Sequence, residues 1–312
     1  MDRTRSAAST PGEVDVDDMA IEQLPSVRTP SGIRLASEVS STAASRGAKP
    51  LVFLHAASFS RGVWRPVARL LADVAPGIAL DLRGHGDSSK PKPPYHWSLF
   101  AEDVAAYVEQ LPGGPVVLCG HSMGGATAVE VASRVPGRVA ALVLLEPVLR
   151  PRPEGTQPAQ GAAESGLVTA ALRRAHSWPD QALAEQYLAT RPPYRYWDRE
   201  VLAGYFATGL TRSEDGGCVL SCPPEIEASI YTETLASQAW SRLPQISCPV
   251  RVLRTAGDRV LPSTASPLIA QVARDGADRL VGGPSGHFIP MEQPGVVAAF
   301  VREMLTDLRY AP

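Results

Sequence analysis

The sequence predicts an α/β fold in which a mostly parallel sheet is covered by helices on both faces. Between residues 51 and 145, short apolar runs alternate with segments of helical pattern, and the alternation resumes after residue 250. Continuous apolar runs are typical of strands buried on both faces, and such alternation is typical of parallel sheets. A chain of 312 residues, 44% of them hydrophobic, can form one large domain or a core domain with an insertion.

The elements of the first half of the chain follow one another closely. Residues 1–24 are rich in Ser, Thr, Asp and Glu without periodicity, which predicts a disordered N-terminal extension. The turn sequence Pro30-Ser31-Gly32 predicts an antiparallel hairpin around it. The predicted elements are the hairpin strands Ser26–Arg28 and Ile33–Ser40, then the strand Leu51–Leu54, the helix Val63–Ala72, the strand Ile78–Leu82, the helix Leu99–Leu111, the strand Val116–Gly120, the helix Ala126–Arg134 and the strand Val139–Leu145.

The pattern changes after Glu146. Residues 148–243 begin with a proline-rich stretch, lack buried-strand runs and contain nine of the 19 aromatic residues. They predict a helical cap, some of whose aromatic side chains face an apolar pocket, inserted into a core of residues 25–147 and 244–312. The remaining predicted elements are the cap helices Ala163–His176, Pro179–Thr190 and Asp198–Gly209, the core strands Val250–Thr255 and Arg279–Val281, and the C-terminal helix Gly295–Leu308.

Composition excludes several classes of partner. A net charge of −2 provides no electrostatic footprint for nucleic acid or an anionic membrane. No apolar run is long enough to span a bilayer, and no apolar segment follows Arg3 and Arg5, so we expect a cytoplasmic protein with a small-molecule substrate. Cys218 and Cys222 lack the histidine or second cysteine pair of a zinc site, and we expect neither metal nor cofactor. A homodimer is compatible with the sequence.

The segment Gly120-His121-Ser122-Met123-Gly124 joins an apolar strand to a helix. The glycines lack the Cβ atoms that would collide in a sharp turn, so the serine is expected in a strained conformation with its hydroxyl above the sheet. The following helix N-terminus directs amides and partial positive charge to the same place. This arrangement predicts that Ser122 is a nucleophile.

A serine nucleophile requires a base, and His287 is the best candidate of the six histidines. It follows the last predicted strand in the glycine-containing loop Gly282–His287, which can carry an imidazole over the edge of the sheet. The side chain of His121 is expected to leave the turn in a different direction from that of Ser122. His55 and His85 follow strands and are expected to hydrogen-bond loop backbone.

The carboxylate that orients His287 has two candidates. Asp258 follows the strand Val250–Thr255, which should neighbour the strand leading to His287, so both side chains emerge at the carboxyl edge of the sheet. The rival is Glu146, which also stands at a strand end near Ser122. We favour Asp258.

The oxyanion hole requires two donors aimed at the developing alkoxide. The amide of Met123 is one, because it follows the nucleophile at the start of the helix. The amide of Ala57, in the loop after the strand Leu51–Leu54, is the second, with Ala56 as its neighbour one position away.

Three motifs together resemble the α/β-hydrolase superfamily: the runs Asp81–Ser89, His121–Gly125 and Gly286–Pro294. The chain order Ser122, Asp258, His287 is also that of the superfamily. The resemblance covers nearly all of residues 26–308 and is to the branch of epoxide hydrolases, haloalkane dehalogenases, cofactor-free haloperoxidases and small esterases. It implies an eight-stranded, mostly parallel sheet with a helical cap between strands six and seven, which residues 148–243 fit.

Departures from the relatives narrow the chemistry. Epoxide hydrolases and dehalogenases use an aspartate nucleophile, so Ser122 argues against both activities. The loop His55–Ser58 and His121 differ from the glycine-rich loop and asparagine of C–C hydrolases. The expected activity is hydrolysis of a small to medium, largely apolar carboxylic ester through an acyl-enzyme. Lactone hydrolysis, C–C hydrolysis and perhydrolysis are alternatives on the same residues, and a non-catalytic binding protein is the competing class.

Overall fold

The computed structural model describes residues 20–42, 48–150, 162–234, 237–256, 267–283 and 285–308. The strands are β1 (Ala20–Arg28), β2 (Arg34–Ser41), β3 (Leu51–Leu54), β4 (Gly77–Leu80), β5 (Val116–His121), β6 (Val139–Leu145), β7 (Ser177–Trp178), β8 (Leu210–Arg212), β9 (Cys218–Leu220), β10 (Val250–Thr255) and β11 (Gly276–Val281). The helices are α1 (Arg65–Leu70), α2 (Trp97–Gln110), α3 (Met123–Arg134), α4 (Ala162–Arg173), α5 (Gln181–Ala189), α6 (Arg199–Gly209), α7 (Pro224–Thr232), α8 (Ala239–Arg242), α9 (Leu268–Val272), α10 (Ile289–Glu292) and α11 (Pro294–Asp307). Within these ranges, no helix is both long and apolar enough to cross a lipid bilayer.

Eight of the described strands form one sheet in the order β1-β2-β4-β3-β5-β6-β10-β11. Strand β2 runs antiparallel to both of its neighbours, and every pairing from β4 to β11 is parallel. The mostly parallel α/β fold predicted from the sequence is therefore confirmed. The carboxyl ends of β3, β5, β6 and β10 meet at one edge, where open α/β sheets bind ligands.

The central strands β3 and β6 are continuously apolar because both faces of the sheet are covered there. In β3, Val52 and Leu54 belong to the core shared with α2 and α3. The alternate residues Leu51 and Phe53 belong to the core shared with α1 and α11. All four side chains are fully buried, as the two-fold alternation of a strand between two helical layers requires.

The segment between β6 and β10 contains helices α4 to α8 and, in the described residues, a three-stranded antiparallel sheet of order β7-β9-β8. A helical segment was predicted here, and the small sheet corrects that prediction. Its strands are only two or three residues long, too short to produce an apolar run that a sequence pattern reveals. The cap boundaries at residues 148 and 243 stay a prediction.

The predicted N-terminal extension is wrong for residues 20–24. These residues belong to β1 and pair with β2, with Ile21 opposite Ser40 and Leu24 opposite Ser37. The strand lies at the edge of the sheet, and Ile21 is 43% exposed. Backbone pairing with β2 holds the strand together with partial burial of Leu24 and Val27, and most of its other side chains are exposed, so the sequence has little apolar periodicity here. Residues 1–19 lie outside the described residues.

A buried arginine joins the loops that follow β3 and β4. Arg61, 3% exposed, begins a short 3-10 helix after β3, and its guanidinium contacts the carboxylates of Asp81, Asp87 and Glu38. The Arg61 backbone N–H also donates to Asp81 Oδ1 at 2.7 Å. Asp81 and Glu38 are buried, so their charges depend on this cation and on neighbouring Arg65.

We expect Arg61→Met to lower the free energy of unfolding by about 3–5 kcal/mol, because it leaves buried carboxylates without their main counter-charge. The matched control is Arg134→Met, whose partner Glu102 lies 3.5 Å away with both side chains well exposed. That change is expected to cost at most about 1 kcal/mol. Urea unfolding of both variants measures the difference, and equal stabilities would contradict the importance assigned to Arg61.

Candidate active site

Ser122 stands between β5 and α3 in a conformation that L-residues rarely adopt, with φ 57° and ψ −117°. The surrounding backbone enforces it. The Ser122 N–H donates to the Leu145 carbonyl at 3.1 Å, and the Ser122 carbonyl accepts from Gly125 N at 3.0 Å and Val148 N at 3.2 Å. The sharp turn predicted from the sequence is therefore present, and it is anchored to the end of β6.

Three glycines allow the close approaches that the turn needs. A Cβ on Gly120 would come within 2.3 Å of the Gly124 carbonyl oxygen, and one on Gly124 within 2.2 Å of the Leu54 carbonyl oxygen. A Cβ on Gly125 would come within 2.7 Å of Pro147 Cβ. Because Gly124 has no side chain, the turn at Ser122 packs directly against the end of β3, where the predicted oxyanion loop begins.

His287 lies beside Ser122. The His287 Nε2 atom is 2.9 Å from Ser122 Oγ, and both residues are buried. The imidazole is carried by the loop between β11 and α10, as the sequence predicted. This distance suits a neutral imidazole that accepts the serine proton.

His121 supports the His287 loop, a contact that the sequence reasoning missed. Its Nε2–H donates to the His287 carbonyl oxygen at 2.8 Å. Burial and the neighbouring His287 imidazole lower the pKa of His121 to about 3, so the ring stays neutral. His121 is fully buried, and a sequence does not reveal which distant backbone group a buried histidine contacts.

Of the two candidate acids, the structure describes only Glu146. Its Oε2 atom is 3.8 Å from His287 Nδ1, longer than a hydrogen bond, and its Oε1 accepts from the Thr255 backbone N–H at 2.6 Å. Glu146 is fully buried and has a φ of 45°. Asp258 lies outside the described residues, three positions beyond the end of β10.

The two residues predicted to supply oxyanion donors, Ala57 and Met123, line the same cavity as Ser122. Met123 is the first residue of α3, where backbone N–H groups have no partner within the helix. Ala57 lies in the loop after β3. Gly124 lets the end of β3 approach the turn at Ser122 closely.

His55 and His85 hydrogen-bond backbone groups of the loops after β4 and β3, respectively, as predicted. His85 Nε2 accepts from the Ser58 N–H at 3.0 Å, and His55 Nε2 accepts from the Leu82 N–H at 3.0 Å. Burial lowers the pKa of His85 to about 4 and also lowers that of His55, so both rings stay neutral acceptors. The His85 contact fixes the Ser58 backbone, whose φ is 72°, next to Ala57.

A cavity of about 560 Å³ lies above Ser122 and His287. Three of the aromatic residues of the segment 148–243 face it: Tyr187, Tyr194 and Tyr231. Phe59, Trp97 and Phe288 of the core complete its aromatic lining. The structure therefore brings Ser122, His287, Ala57 and Met123 together beneath side chains of the segment predicted to be a cap.

Comparison with known proteins agrees with this geometry. The sequence profile described as "Alpha/beta hydrolase family" matches residues 51–300, most of the chain. The chain belongs to the alpha/beta hydrolase family.

Relatives in this family have names that refer to different hydrolytic activities. The chain is 30% identical over 266 residues to Lipase LipV of Mycobacterium tuberculosis, a match of 83% of this chain and 94% of that protein. A thermophilic esterase from Thermogutta terrifontis superimposes with a TM-score of 0.66 at 25% identity, covering 93% of this chain and 99% of that one. An E-2-(acetamidomethylene)succinate hydrolase superimposes with a TM-score of 0.74 at 22% identity, covering 91% and 100%, a likeness of fold alone.

If Asp258 is the carboxylate that orients His287, as we favour from the sequence, we expect Asp258→Asn to lower kcat by about 10³- to 10⁴-fold, because an amide does not stabilise an imidazolium. Glu146→Gln keeps an acceptor for the Thr255 N–H and is the matched carboxylate control, with a loss of at most about tenfold. Steady-state hydrolysis of p-nitrophenyl esters measures both. An inactive Glu146→Gln beside an active Asp258→Asn would assign the acid to Glu146 instead.

Proposed function

We propose that this alpha/beta hydrolase cleaves a small to medium, largely apolar carboxylic ester through an acyl-enzyme formed on Ser122. Hydrolysis is the general activity that family membership supports, and ester cleavage is our more specific proposal. The observation that carries it is the 2.9 Å separation of His287 Nε2 and Ser122 Oγ in a cavity that both residues line.

In the acylation step, Ser122 Oγ attacks the ester carbonyl carbon while His287 Nε2 takes the hydroxyl proton. The carbonyl oxygen becomes an oxyanion, for which the Ala57 and Met123 amides are the proposed donors; each such donor is worth roughly 3–4 kcal/mol of barrier. The tetrahedral intermediate then collapses. The C–O bond to the alcohol breaks, and the leaving oxygen takes the proton from His287.

In the deacylation step, a water molecule replaces the alcohol. His287 Nε2 takes one proton from the water as its oxygen attacks the acyl carbon, and the intermediate expels Ser122 Oγ, which recovers the proton. The products are the carboxylic acid and the alcohol, and the enzyme returns to its starting state. Asp258 is proposed to stabilise the imidazolium in both steps.

The size and lining of the cavity support a substrate of limited size. About 560 Å³ is within the usual range of small-molecule pockets, and Phe59, Trp97 and Tyr187 are among the aromatic residues that line it. The names of the lipase and the esterase among the relatives also support ester cleavage.

We expect Ser122→Ala to lower kcat for p-nitrophenyl ester hydrolysis by at least about 10⁴-fold and to abolish labelling by a fluorophosphonate probe. His287→Ala is expected to lower both to a similar extent, because the hydroxyl loses its base. The matched control is Ser241→Ala, an exposed serine of α8 outside the cavity, which should keep full labelling and activity. A wild-type protein that neither takes the probe nor hydrolyses any ester would instead indicate a non-catalytic binding protein.

A further inference from the structure

The walls of the cavity above Ser122 carry an uneven charge. Among the described residues that line it are four arginines and one carboxylate, Glu227, a formal charge of +3 from four positive and one negative side chain. The four arginines are Arg150, Arg173, Arg174 and Arg191. The whole chain has a net charge of −2. Positive charge is therefore concentrated at this site against the sign of the rest of the protein.

Arg174 is the least exposed of these arginines. Its side chain is 20% exposed, and its Nη1 donates to Glu227 Oε2 at 2.6 Å. Its Nη2 donates to the Tyr194 hydroxyl at 2.9 Å, and the Tyr194 ring stacks on that of Tyr205 with centroids 5.3 Å apart. The guanidinium is thus fixed in the wall by a carboxylate and a stacked tyrosine pair rather than free to leave for solvent.

The fixed guanidinium keeps donors for a ligand. A guanidinium has five N–H groups, and in the described part of the chain two hydrogen bonds of the Arg174 guanidinium are present, to Glu227 and Tyr194. Three N–H groups remain for water or a ligand. A partly buried Arg–Glu pair contributes little net stability to the fold. Binding of a purely apolar ester does not require such a pair in the cavity wall.

The other three arginines are exposed residues that also line the cavity. Arg191 is held there, since its guanidinium carbon lies 3.6 Å from the centre of the Tyr187 ring and its Nη1 donates to the Tyr187 carbonyl. Positive charge on the walls of a narrow site raises the local concentration of anions and their rate of entry.

We propose that the substrate of this site carries a carboxylate besides the ester that is cleaved, and that Arg174 binds it. The inference rests on the proposed function, because it names the substrate class of the same site. A carboxylate matches the planar fork of a guanidinium, and as a monoanion it is repelled less by Glu227 than a dianionic phosphate is. The substrate class is a monoester of a dicarboxylic acid, or an ester with a carboxylate on its alcohol.

The test compares p-nitrophenyl hydrogen adipate with p-nitrophenyl heptanoate, two esters of similar length that differ in a terminal carboxylate. A third ester ends in a phosphonate. For the wild-type protein we expect kcat/KM for the adipate to exceed that for the heptanoate by at least about tenfold, and the phosphonate to fall below the adipate. Arg174→Met should lower kcat/KM for the adipate by about 10- to 100-fold, the size of a lost charge-assisted contact, mainly through KM. The heptanoate should change by less than about threefold.

Two further variants keep the outcome interpretable. If Arg174→Met folds poorly, the double variant Arg174→Met/Glu227→Gln replaces it in the test, because it removes both charges and leaves no uncompensated carboxylate. The double variant should also lose the preference for the adipate. Arg199→Met removes an exposed arginine of α6 outside the cavity and should keep that preference.

Failure of this proposal is distinguishable from failure of the proposed function. A protein whose Ser122 takes a fluorophosphonate and which hydrolyses adipate and heptanoate equally well would overturn the carboxylate subsite alone. Preference for the phosphonate ester would overturn the assignment to a carboxylate. A protein that takes no probe and cleaves none of the three esters would overturn both.

Discussion

The backbone of Ser122 is the constraint on which the rest of the site depends. A φ of 57° is costly for a serine, and it persists only because hydrogen bonds from β6, α3 and the following loop fix the residue on all sides. The strained turn places the hydroxyl above the carboxyl edge of the sheet instead of within it. Gly124 lets the end of β3 approach until a single added Cβ would collide with the Leu54 carbonyl.

Buried polar contacts then bring three other loops to this fixed point. His121, next to Ser122, donates to the His287 carbonyl and so joins the loop that carries His287 to the turn at Ser122. Glu146 accepts from the Thr255 backbone and ties the end of β10 to the end of β6. His85 accepts from Ser58 and fixes the loop of Ala57. Each contact joins segments far apart in the chain, so loss of any one loosens a different part of the site.

Much of this arrangement could be predicted from the sequence, because local chemistry dictates it. The glycines around Ser122 permit a sharp turn that larger residues would block, and the continuous apolar runs of β3, β5 and β6 are typical of strands in a sheet covered on both faces. The choice of His287 as the base followed from its position after the last predicted strand. The roles of His55 and His85 followed in the same way.

The sequence could not reveal features that depend on contacts between distant segments. The edge strand at residues 20–24 is held by pairing with β2, and the strands β7 to β9 are too short for a period to appear. The bond from His121 to the His287 carbonyl joins residues that are 166 positions apart. The arginines around the cavity come from the segment before α4, the last residue of α4, the residue that follows it and the loop after α5, so their common environment appears only in the folded chain.

Ser122 is proposed to be a covalent nucleophile, and detection of the acyl-enzyme tests this role most directly. A deuterated p-nitrophenyl acetate is mixed with the protein, the reaction is quenched with acid during turnover, and the peptides are analysed by mass spectrometry. The account predicts one deuterated acetyl group per chain, on the peptide that contains Ser122 and at that residue. Continued hydrolysis without an acylated Ser122, or an acyl group on another residue that turns over at the catalytic rate, would contradict it.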